Sequence, residues 1–331
     1  MPITLKEAKE TMVDKVDQQI IDMFRRSSLL LDSLTFDNAI SPGTGGSTLA
    51  YGYTQLKTPA GANVREVNSE YEASEAKREK KIAQAIIMGG SFEVDRVIQN
   101  TSGAIDELAF QADQKVKATA NYFHNLVING TSASSGTGYV PKTFDGLKKT
   151  LAGTANELTS EVDISDAAKM TSNAHAFLDE IDAMLAAIDG GADMIMMNTK
   201  MLTRMRGIAR RAGYYDRTKD DFGRVVETYA GVRMVDLGKY WSGSNTVDVI
   251  ADTAAGSGTF GTTDIFAVKF GLDAFHGIAP LGTGVINSYM PDLTAPGAVK
   301  TGEVELVAGA VLKNTLKAAH LKGIAVAPET A

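Results

Sequence analysis

Apolar residues recur at helical spacing in some stretches of the chain and alternate with polar ones in others. Leu5, Ala8, Met12, Val16, Ile20 and Phe24 fall on one face of a helix that runs to about Leu31, and Thr4-Leu5-Lys6-Glu7 reads as its capping box. The turn formers Ser41-Pro42-Gly43-Thr44-Gly45-Gly46-Ser47 then exclude regular structure. Leu49, Tyr51 and Tyr53 alternate as in a half-buried strand, and Ile82, Gln84, Ile86 and Met88 suggest a second. Between them lies a charged stretch, 65–81, which includes Glu66, Glu70, Glu72, Glu75, Lys77, Arg78, Glu79 and Lys80. Residues 47–90 are therefore expected to form one extended, projecting hairpin, whose long strand edges invite association with other chains.

The strongest helical pattern comes next. Ile105, Leu108, Ala109, Ala112, Val116, Ala120, Phe123 and Val127 share a face, and no Gly or Pro interrupts Ala104 to Asn129. Ser102 is the expected cap and Asn129-Gly130 the stop, giving a beam of ~40 Å at about 1.5 Å per residue. A Gly/Ser loop, 131–138, leads to Phe144-Asp145-Gly146-Leu147. A further helix is expected from Asn173 to Ile188, closed by Gly190-Gly191. It is followed by a buried strand, Met194-Ile195-Met196-Met197, and a basic helix from Lys200 to Arg211. Short strands are then expected at 225–226, 232–235, 247–250, 265–270, 285–289 and 304–311. The stretch 316–326 reads as a final strand pair or a return to the core. No repeat of fixed period is visible, which excludes a solenoid or propeller.

Composition narrows the function. A chain of 331 residues with 44% hydrophobic and 22% charged residues has the means for a sizeable core. Cysteine is absent, so disulfide frameworks, cysteine-zinc sites and thiol nucleophiles are excluded. A formal charge of -7 argues against a dedicated nucleic-acid binder. No apolar run reaches the ~20 residues of a membrane span, and the N-terminus lacks a secretory layout.

Candidate chemistry is sparse. Gly256-Ser257-Gly258-Thr259-Phe260-Gly261 has the dinucleotide-binding glycine spacing, but a strand-like segment follows where a helix is needed, so a surface loop is expected. His124, His175, His276 and His320 are far apart and read as structural or surface histidines, not a metal site. Asp179, Glu180 and Asp182 read as a solvated acidic face. Met194, Met196, Met197, Met201 and Met205 read as adaptable core packing. The segment with Lys200, Arg204, Arg206, Arg210, Arg211, Arg217 and Arg224 is basic within an acidic chain. Its preferred reading is contact with acidic surfaces of another subunit, such as Glu70, Glu72 and Glu75, ahead of a solvated face and of DNA phosphates. The candidate contact residues are Glu70, Glu72, Glu75 and Arg78 with Arg204, Arg206, Arg210 and Arg211. No catalytic, cofactor or metal residue is assigned.

The order of elements resembles the major capsid proteins of tailed bacteriophages, a fold shared with encapsulins and the herpesvirus capsid floor. The resemblance rests on the N-terminal arm, the charged hairpin, the spine helix ending at Asn129-Gly130, Phe144-Asp145-Gly146-Leu147, and Asp264-Ile265-Phe266-Ala267-Val268-Lys269-Phe270-Gly271. It implies an α+β phage capsid fold: an N-arm over 1–46, an extended loop over 47–90, a peripheral domain over 91–190 and 291–331 with its spine helix at about 103–129, and an axial domain over 191–290.

The resemblance also implies a non-enzymatic shell protein, forming hexamers and pentamers of an icosahedral head around double-stranded DNA and located in the virion after assembly in the bacterial cytoplasm. Its partners would be copies of itself, a portal, and packaged DNA through weak non-specific contact, with no membrane. The arm begins at Met1 without the scaffolding segment some relatives carry, so a separate scaffolding protein is expected. Some relatives join subunits by a Lys–Asn isopeptide bond. Lys57 and Asn314 are the conceivable partners, but their surroundings do not match, so a non-covalent shell is expected. The alternatives are an encapsulin-like nanocompartment and a soluble α/β enzyme.

Overall fold

A computed structural model gives the fold over residues 29–40, 49–58, 60–101, 107–132, 143–213, 216–219, 225–280 and 287–328. Most of the expected N-terminal helix, the 41–47 linker, the Ser102 cap, most of the Gly/Ser loop and Arg224 lie outside these residues. The described chain opens with α1 (Leu29–Ser33) and β1 (Phe36–Ile40). The hairpin strands β2 (Ala50–Thr58) and β3 (Lys77–Gln84) follow, then β4 (Ile86–Asp95), α2 (Arg96–Thr101), α3 (Glu107–Asn129) and α4 (Leu147–Leu151). Next come β5 (Glu157–Thr159), α5 (Ala167–Ser172), α6 (Ala174–Ala186), β6 (Met194–Met197) and α7 (Thr199–Ala212). The remainder is strands: β7 (Asp216–Lys219), β8 (Val225–Tyr229), β9 (Val232–Asp236), β10 (Lys239–Trp241), β11 (Thr246–Asp248), β12 (Gly261–Val268), β13 (Phe275–Pro280), β14 (Asn287–Tyr289), β15 (Val299–Leu312) and β16 (Ala318–Ala327).

Two sheets organise the molecule. In the five-stranded one, β15 pairs along its first part with β4 and β14 and along its last part with β13, which carries β1 on its far edge. The other is mixed and seven-stranded, in the order β5-β16-β12-β6-β9-β8-β7. Residues after 290 are thus divided, β15 in one sheet and β16 in the other.

The spine helix α3, 23 residues or about 35 Å long, ties the sheets together. Leu108, Ala112 and Val116 in its first half pack on Phe92, Val94 and Val304. Phe123, Leu126, Val127 and Ile128 in its second half enter the main core with Phe144, Met196, Phe266 and Leu306. On the opposite face of the seven-stranded sheet, Phe177 and Ile181 of α6 and Met201, Met205 and Ile208 of α7 close a second core. Strand β6 lies between the two, with Met194 and Met196 in one core and Ile195 and Met197 in the other. A strand covered on both faces has no polar alternation, which is why Met-Ile-Met-Met reads as a continuous apolar run.

The hairpin departs from expectation at its second strand. The strand starts inside the charged stretch, at Lys77, and breaks at Ala85, whose N–H donates to the Leu49 carbonyl at 2.8 Å. Ile86 and Met88, expected to continue it, belong to β4 and pair with β15. The physical difference is support: Met88, Phe92 and Val94 are buried under α3, whereas Lys77 to Ile82 are exposed and held by ladder hydrogen bonds to β2. Charge does not bar a strand whose two faces are both in water.

His124, on α3, is buried beside the Leu237 backbone. Burial pushes its pKa down from 6.5 to about 4, only partly offset by a hydrogen bond to Leu237. Above pH 6.5 the ring is neutral in both folded and unfolded chains, and stability is fully present. Between 6.5 and about 4 the unfolded chain takes up a proton that the folded one refuses, so stability falls as pH falls, by an amount on the order of 3 kcal/mol. Urea midpoints at pH 7.5 and 4.5 should therefore diverge, and His124→Gln should reduce that divergence, leaving the part due to His276, whose pKa burial also lowers. An unchanged divergence in the variant would assign the acid sensitivity elsewhere.

Candidate assembly surfaces

The hairpin is the most exposed feature of the described structure. Every residue from 60 to 82 is exposed, including Val64, Val67, Tyr71 and Ile82. Its tip is organised locally: the Gly61 N–H donates to Ser74 Oγ at 2.7 Å, Ser69 Oγ donates to the Glu66 carbonyl, and the Arg65 guanidinium lies 5.3 Å from the Tyr71 ring centre. Charge is partitioned along it. Glu66, Glu70, Glu72 and Glu75 make the tip acidic, and Lys77, Arg78, Lys80 and Lys81 make the shaft basic. Among the described residues, Glu70, Glu72, Glu75 and Arg78 have no ion-pair partner.

At its base the hairpin is fastened to the body by contacts that sequence patterns do not reveal. Tyr51 OH donates to Asp37 Oδ2 at 2.7 Å, Lys313 Nζ sits 5.3 Å from the Tyr51 ring centre, and His276 meets the ring edge-on at 5.9 Å. Burial and the bond to Asp37 push the Tyr51 phenol up to about 12. The signal is absent from sequence because the partners come from β1, β13 and the segment after β15.

The basic helix α7 begins at Asn198, whose side chain accepts the Met201 N–H, and ends at Gly213 in the left-handed region. With Lys239, Asp248 and Asp252 it borders an open groove of about 730 Å³. Lys200 pairs with Asp252 at 2.7 Å and Arg206 with Glu227 at 2.7 Å, so part of the expected contact surface is satisfied within the chain. Arg204 donates to the Ile164 and Ser165 carbonyls. Its partial burial lowers its pKa, partly offset by Asp252, Asp166 and Asp163. Arg210 donates to the Arg206 carbonyl, and Arg211 to Thr171 Oγ1 and the Gly207 carbonyl. Among the described residues, Arg204, Arg210 and Arg211 thus have no direct carboxylate partner. The structure does not bring the hairpin carboxylates and these arginines together within one chain.

Two of the quoted sequence motifs converge. The Gly130 N–H donates to the Leu126 carbonyl, the Gly146 N–H donates to the Gly130 carbonyl at 2.8 Å, and Ser132 donates through N–H and Oγ to Asp145 Oδ1. Burial would raise the Asp145 pKa, but bonds from Lys149 and Ser132 outweigh it and hold the carboxyl below the usual range. The four residues 144–147 are thereby a clip on the end of the spine helix.

The remaining polar groups have structural roles. His320 is stacked on Phe266 and lies 3.4 Å from Asp264 and 3.9 Å from Glu157. Burial opposes ionisation of Asp264, yet bonds from His320 and the Gly323 N–H, with Lys148 nearby, lower its pKa to about 2. Glu180 accepts from Ser160 Oγ and the Glu161 N–H, and Asp182 from Tyr229 OH, so two of the three expected solvated acids are tethers. Gly256 and Thr259 form a tight bridge before β12, with no helix to hold a pyrophosphate. Asn314 accepts the Leu316 N–H in the turn before β16, and the Lys57 side chain lies outside the described residues. Among the described residues no group of three His, Asp or Glu is placed to hold a metal, and no helix is long and apolar enough to cross a membrane.

Comparison with known proteins gives this geometry a context. Residues 9–233 match the family model described as SU10 major capsid protein. No curated protein matches the chain. The fold matches the holo-SrpI encapsulin complex from Synechococcus elongatus with a TM-score of 0.64 and 11% identity over 99% of each chain. It matches the capsid of the native GTA particle at 0.57 and 12%, covering 98% of this chain and 100% of that one. Mycobacterium phage Bobi gives 0.57 and 14% over 100% of both chains. At such identities the likeness is one of fold.

Proposed function

The chain belongs to the SU10 major capsid protein family, and on that premise we propose that it closes into the hexamers and pentamers of an icosahedral head enclosing double-stranded DNA. Its role is structural, as a component of a virion capsid, and in this reading it catalyses nothing. Residues 1–46 act as the arm and 47–90 as the extended loop. Residues 91–190 with 291–331 act as the peripheral domain, and 191–290 as the axial domain. The observation that supports this best is the hairpin from 60 to 82, wholly exposed within one chain. Ordering such a segment costs about 1 kcal/mol or more per residue, and its own chain supplies almost no burial to offset that. A neighbouring subunit is the natural source.

Head-to-tail contacts between identical subunits close into rings when the rotation fits. The carboxylates Glu70, Glu72 and Glu75, with Arg78, and the arginines Arg204, Arg206, Arg210 and Arg211 are the proposed inter-subunit contacts. Of these Arg206 is the least available, because Glu227 already holds it. A separate scaffolding protein, a portal and weak contact with DNA complete the proposed partners, and assembly takes place in the host bacterial cytoplasm. The shared fold with the SrpI encapsulin favours one second reading, a compartment around a protein cargo. The contents of purified particles, nuclease-protected DNA or protein, separate the two.

The test is to express the protein alone and with its scaffold, then examine it by sedimentation and negative-stain microscopy. Closed shells, capsomers or tubes are expected. A monomer or dimer under both conditions would overturn the proposal.

A further inference from the structure

Four positions of α7 fall in one stripe, because Lys200, Arg204, Gly207 and Arg211 follow one another at spacings of four, three and four residues. That stripe, Arg210 beside it and Lys239 of β10 line the open groove of about 730 Å³. The volume lies in the range of about 300–1,000 Å³ typical of small-molecule sites. The groove's two acidic lining residues are already engaged, Asp248 with Lys239 at 3.4 Å and Asp252 with Lys200 at 2.7 Å. Asp163 and Asp166 also act on Arg204, but Asp163 pairs with Lys169 at 3.0 Å and Asp166 caps α5 by accepting the Lys169 N–H. Among the described residues, three guanidiniums are thus left as uncompensated charge on one groove.

Those guanidiniums are held in place and still have donors to give. Arg204 is anchored by the Ile164 and Ser165 carbonyls, Arg211 by Thr171 Oγ1 and the Gly207 carbonyl, and Arg210 by its Nε alone on the Arg206 carbonyl. A guanidinium has more N–H groups than these bonds consume, and neutral partners fix its direction without cancelling its charge. Gly207 makes the arrangement possible. A glycine inside a helix weakens it relative to alanine. Here a Cβ would stand 3.0 Å from Arg211 Nη1, in the space that the folded-back guanidinium needs. A planar fork with spare N–H groups suits phosphate oxygens, and three forks on one groove call for a ligand with several negative charges. The rest of the chain limits that ligand's length. A long polyanion leaving the groove would run over a protein of formal charge -7, whereas a small one stays within a Debye length of the arginines, about 10 Å at ordinary ionic strength.

We propose that the groove bordered by α5, α7 and β10 is a binding site for a small oligophosphate, a di- or triphosphate group held by Arg204, Arg210 and Arg211. The inference goes beyond the shell reading, because every group in the site belongs to one subunit. It also bears on that reading, since an occupied groove withholds from a neighbour three of the arginines proposed as inter-subunit contacts.

Calorimetric titration of sodium triphosphate into the full-length protein before assembly, at one fixed low salt concentration, tests it. One triphosphate per chain is expected, with a raised thermal midpoint because the ligand binds the folded chain. Arg210→Gln with Arg211→Gln should weaken binding at least about tenfold. Arg96→Gln with Lys77→Gln removes as much charge from exposed positions elsewhere and should weaken it by less than about threefold. Gly207→Ala keeps every charge and favours the helix, yet should weaken binding at least about threefold by displacing the Arg211 guanidinium. Arg210 and Arg211 are exposed, and the Gly207 Cβ meets only the far end of a side chain, so the midpoints without ligand should stay close to the parent's. Absence of triphosphate binding, equal weakening by the two charge-removing pairs, or a Gly207→Ala affinity equal to the parent's would overturn the site. A short DNA duplex that binds these arginines more tightly than triphosphate would overturn the ligand class and assign the groove to nucleic acid. A chain that never formed shells would refute the shell reading and leave this result standing.

Discussion

Removing residues 62–73 and joining Gly61 to Ser74 through an Asn-Gly turn leaves a folded subunit that no longer closes into shells. The neck is already narrow, because the Gly61 N–H bonds Ser74 Oγ at 2.7 Å, so a tight turn bridges it without strain. Every residue removed is exposed, so no core is opened, and the thermal midpoint of the isolated subunit should stay within about 2 °C of the parent, given that ~1 kcal/mol moves such a midpoint by a few degrees. Assembly should respond in the opposite way. The excised segment holds Glu66, Glu70 and Glu72 and the exposed Val64, Val67 and Tyr71, which are the groups free to meet a neighbour. Many modest contacts repeated around a closed shell act together, so one lost from every subunit is multiplied over the particle. The subunit concentration needed for shell formation should rise at least about a hundredfold, or about 2.7 kcal/mol per subunit. Sedimentation at graded concentrations reads it, and shells forming at the parent's concentration would remove the hairpin from the assembly mechanism.

The parts of this fold that were legible in sequence are those where one element carries its own pattern. The spine helix, the helix at 174–186, the Met-Ile-Met-Met strand and the basic helix could be read from periodicity, because burial on one face or on both imprints a period of its own. Strands β1 and β13 were not. Phe36–Ile40 and Phe275–Pro280 are short and contain no clean alternation; they exist because they pair with each other across more than two hundred residues of chain, with β13 also bonded to β15. The split at Ala85 was hidden for a related reason, since the two halves of that apolar-polar run answer to different partners, β2 and β15.

The candidate surfaces were legible as charge and not as geometry. The acidic tip and the basic helix stand out in composition, but only coordinates show that Glu227 occupies Arg206 while Arg204, Arg210 and Arg211 bond to carbonyls and a hydroxyl. The acidic outer face of β15 had a signal that was available: Gly302-Glu303-Val304-Glu305-Leu306 alternates with period two, with charge on the side away from the core. The hairpin latch of Asp37, Tyr51, His276 and Lys313 had none, because its members share no spacing.

Gly146→Ala and Gly146→Val should both destabilise the fold severely, and to nearly the same extent. At Gly146 the backbone is extended, with φ -79° and ψ 173°, a conformation open to any residue, so lost conformational freedom is not the issue. The obstacle is space. A Cβ there would lie 2.7 Å from the Gly130 nitrogen and 2.7 Å from the Ile128 carbonyl oxygen, both rigid backbone at the end of the spine helix. Gly130 is confined in the same way, with a Cβ 2.4 Å from the Leu126 and Phe144 carbonyl oxygens. Relief requires α4 to withdraw from the spine helix, which breaks the bond from the Gly146 N–H to the Gly130 carbonyl and opens the core around Phe123, Phe144 and Leu147. Core disruption on that scale costs about 3–5 kcal/mol, against a total stability of about 5–15 kcal/mol for a typical domain. Soluble yield and urea midpoints of dissociated subunits measure the effect. Because the first carbon of the side chain already collides, an Ala variant with the parent's midpoint would show that the clip yields, and that the spine helix is not held at this end by the close approach of two glycines.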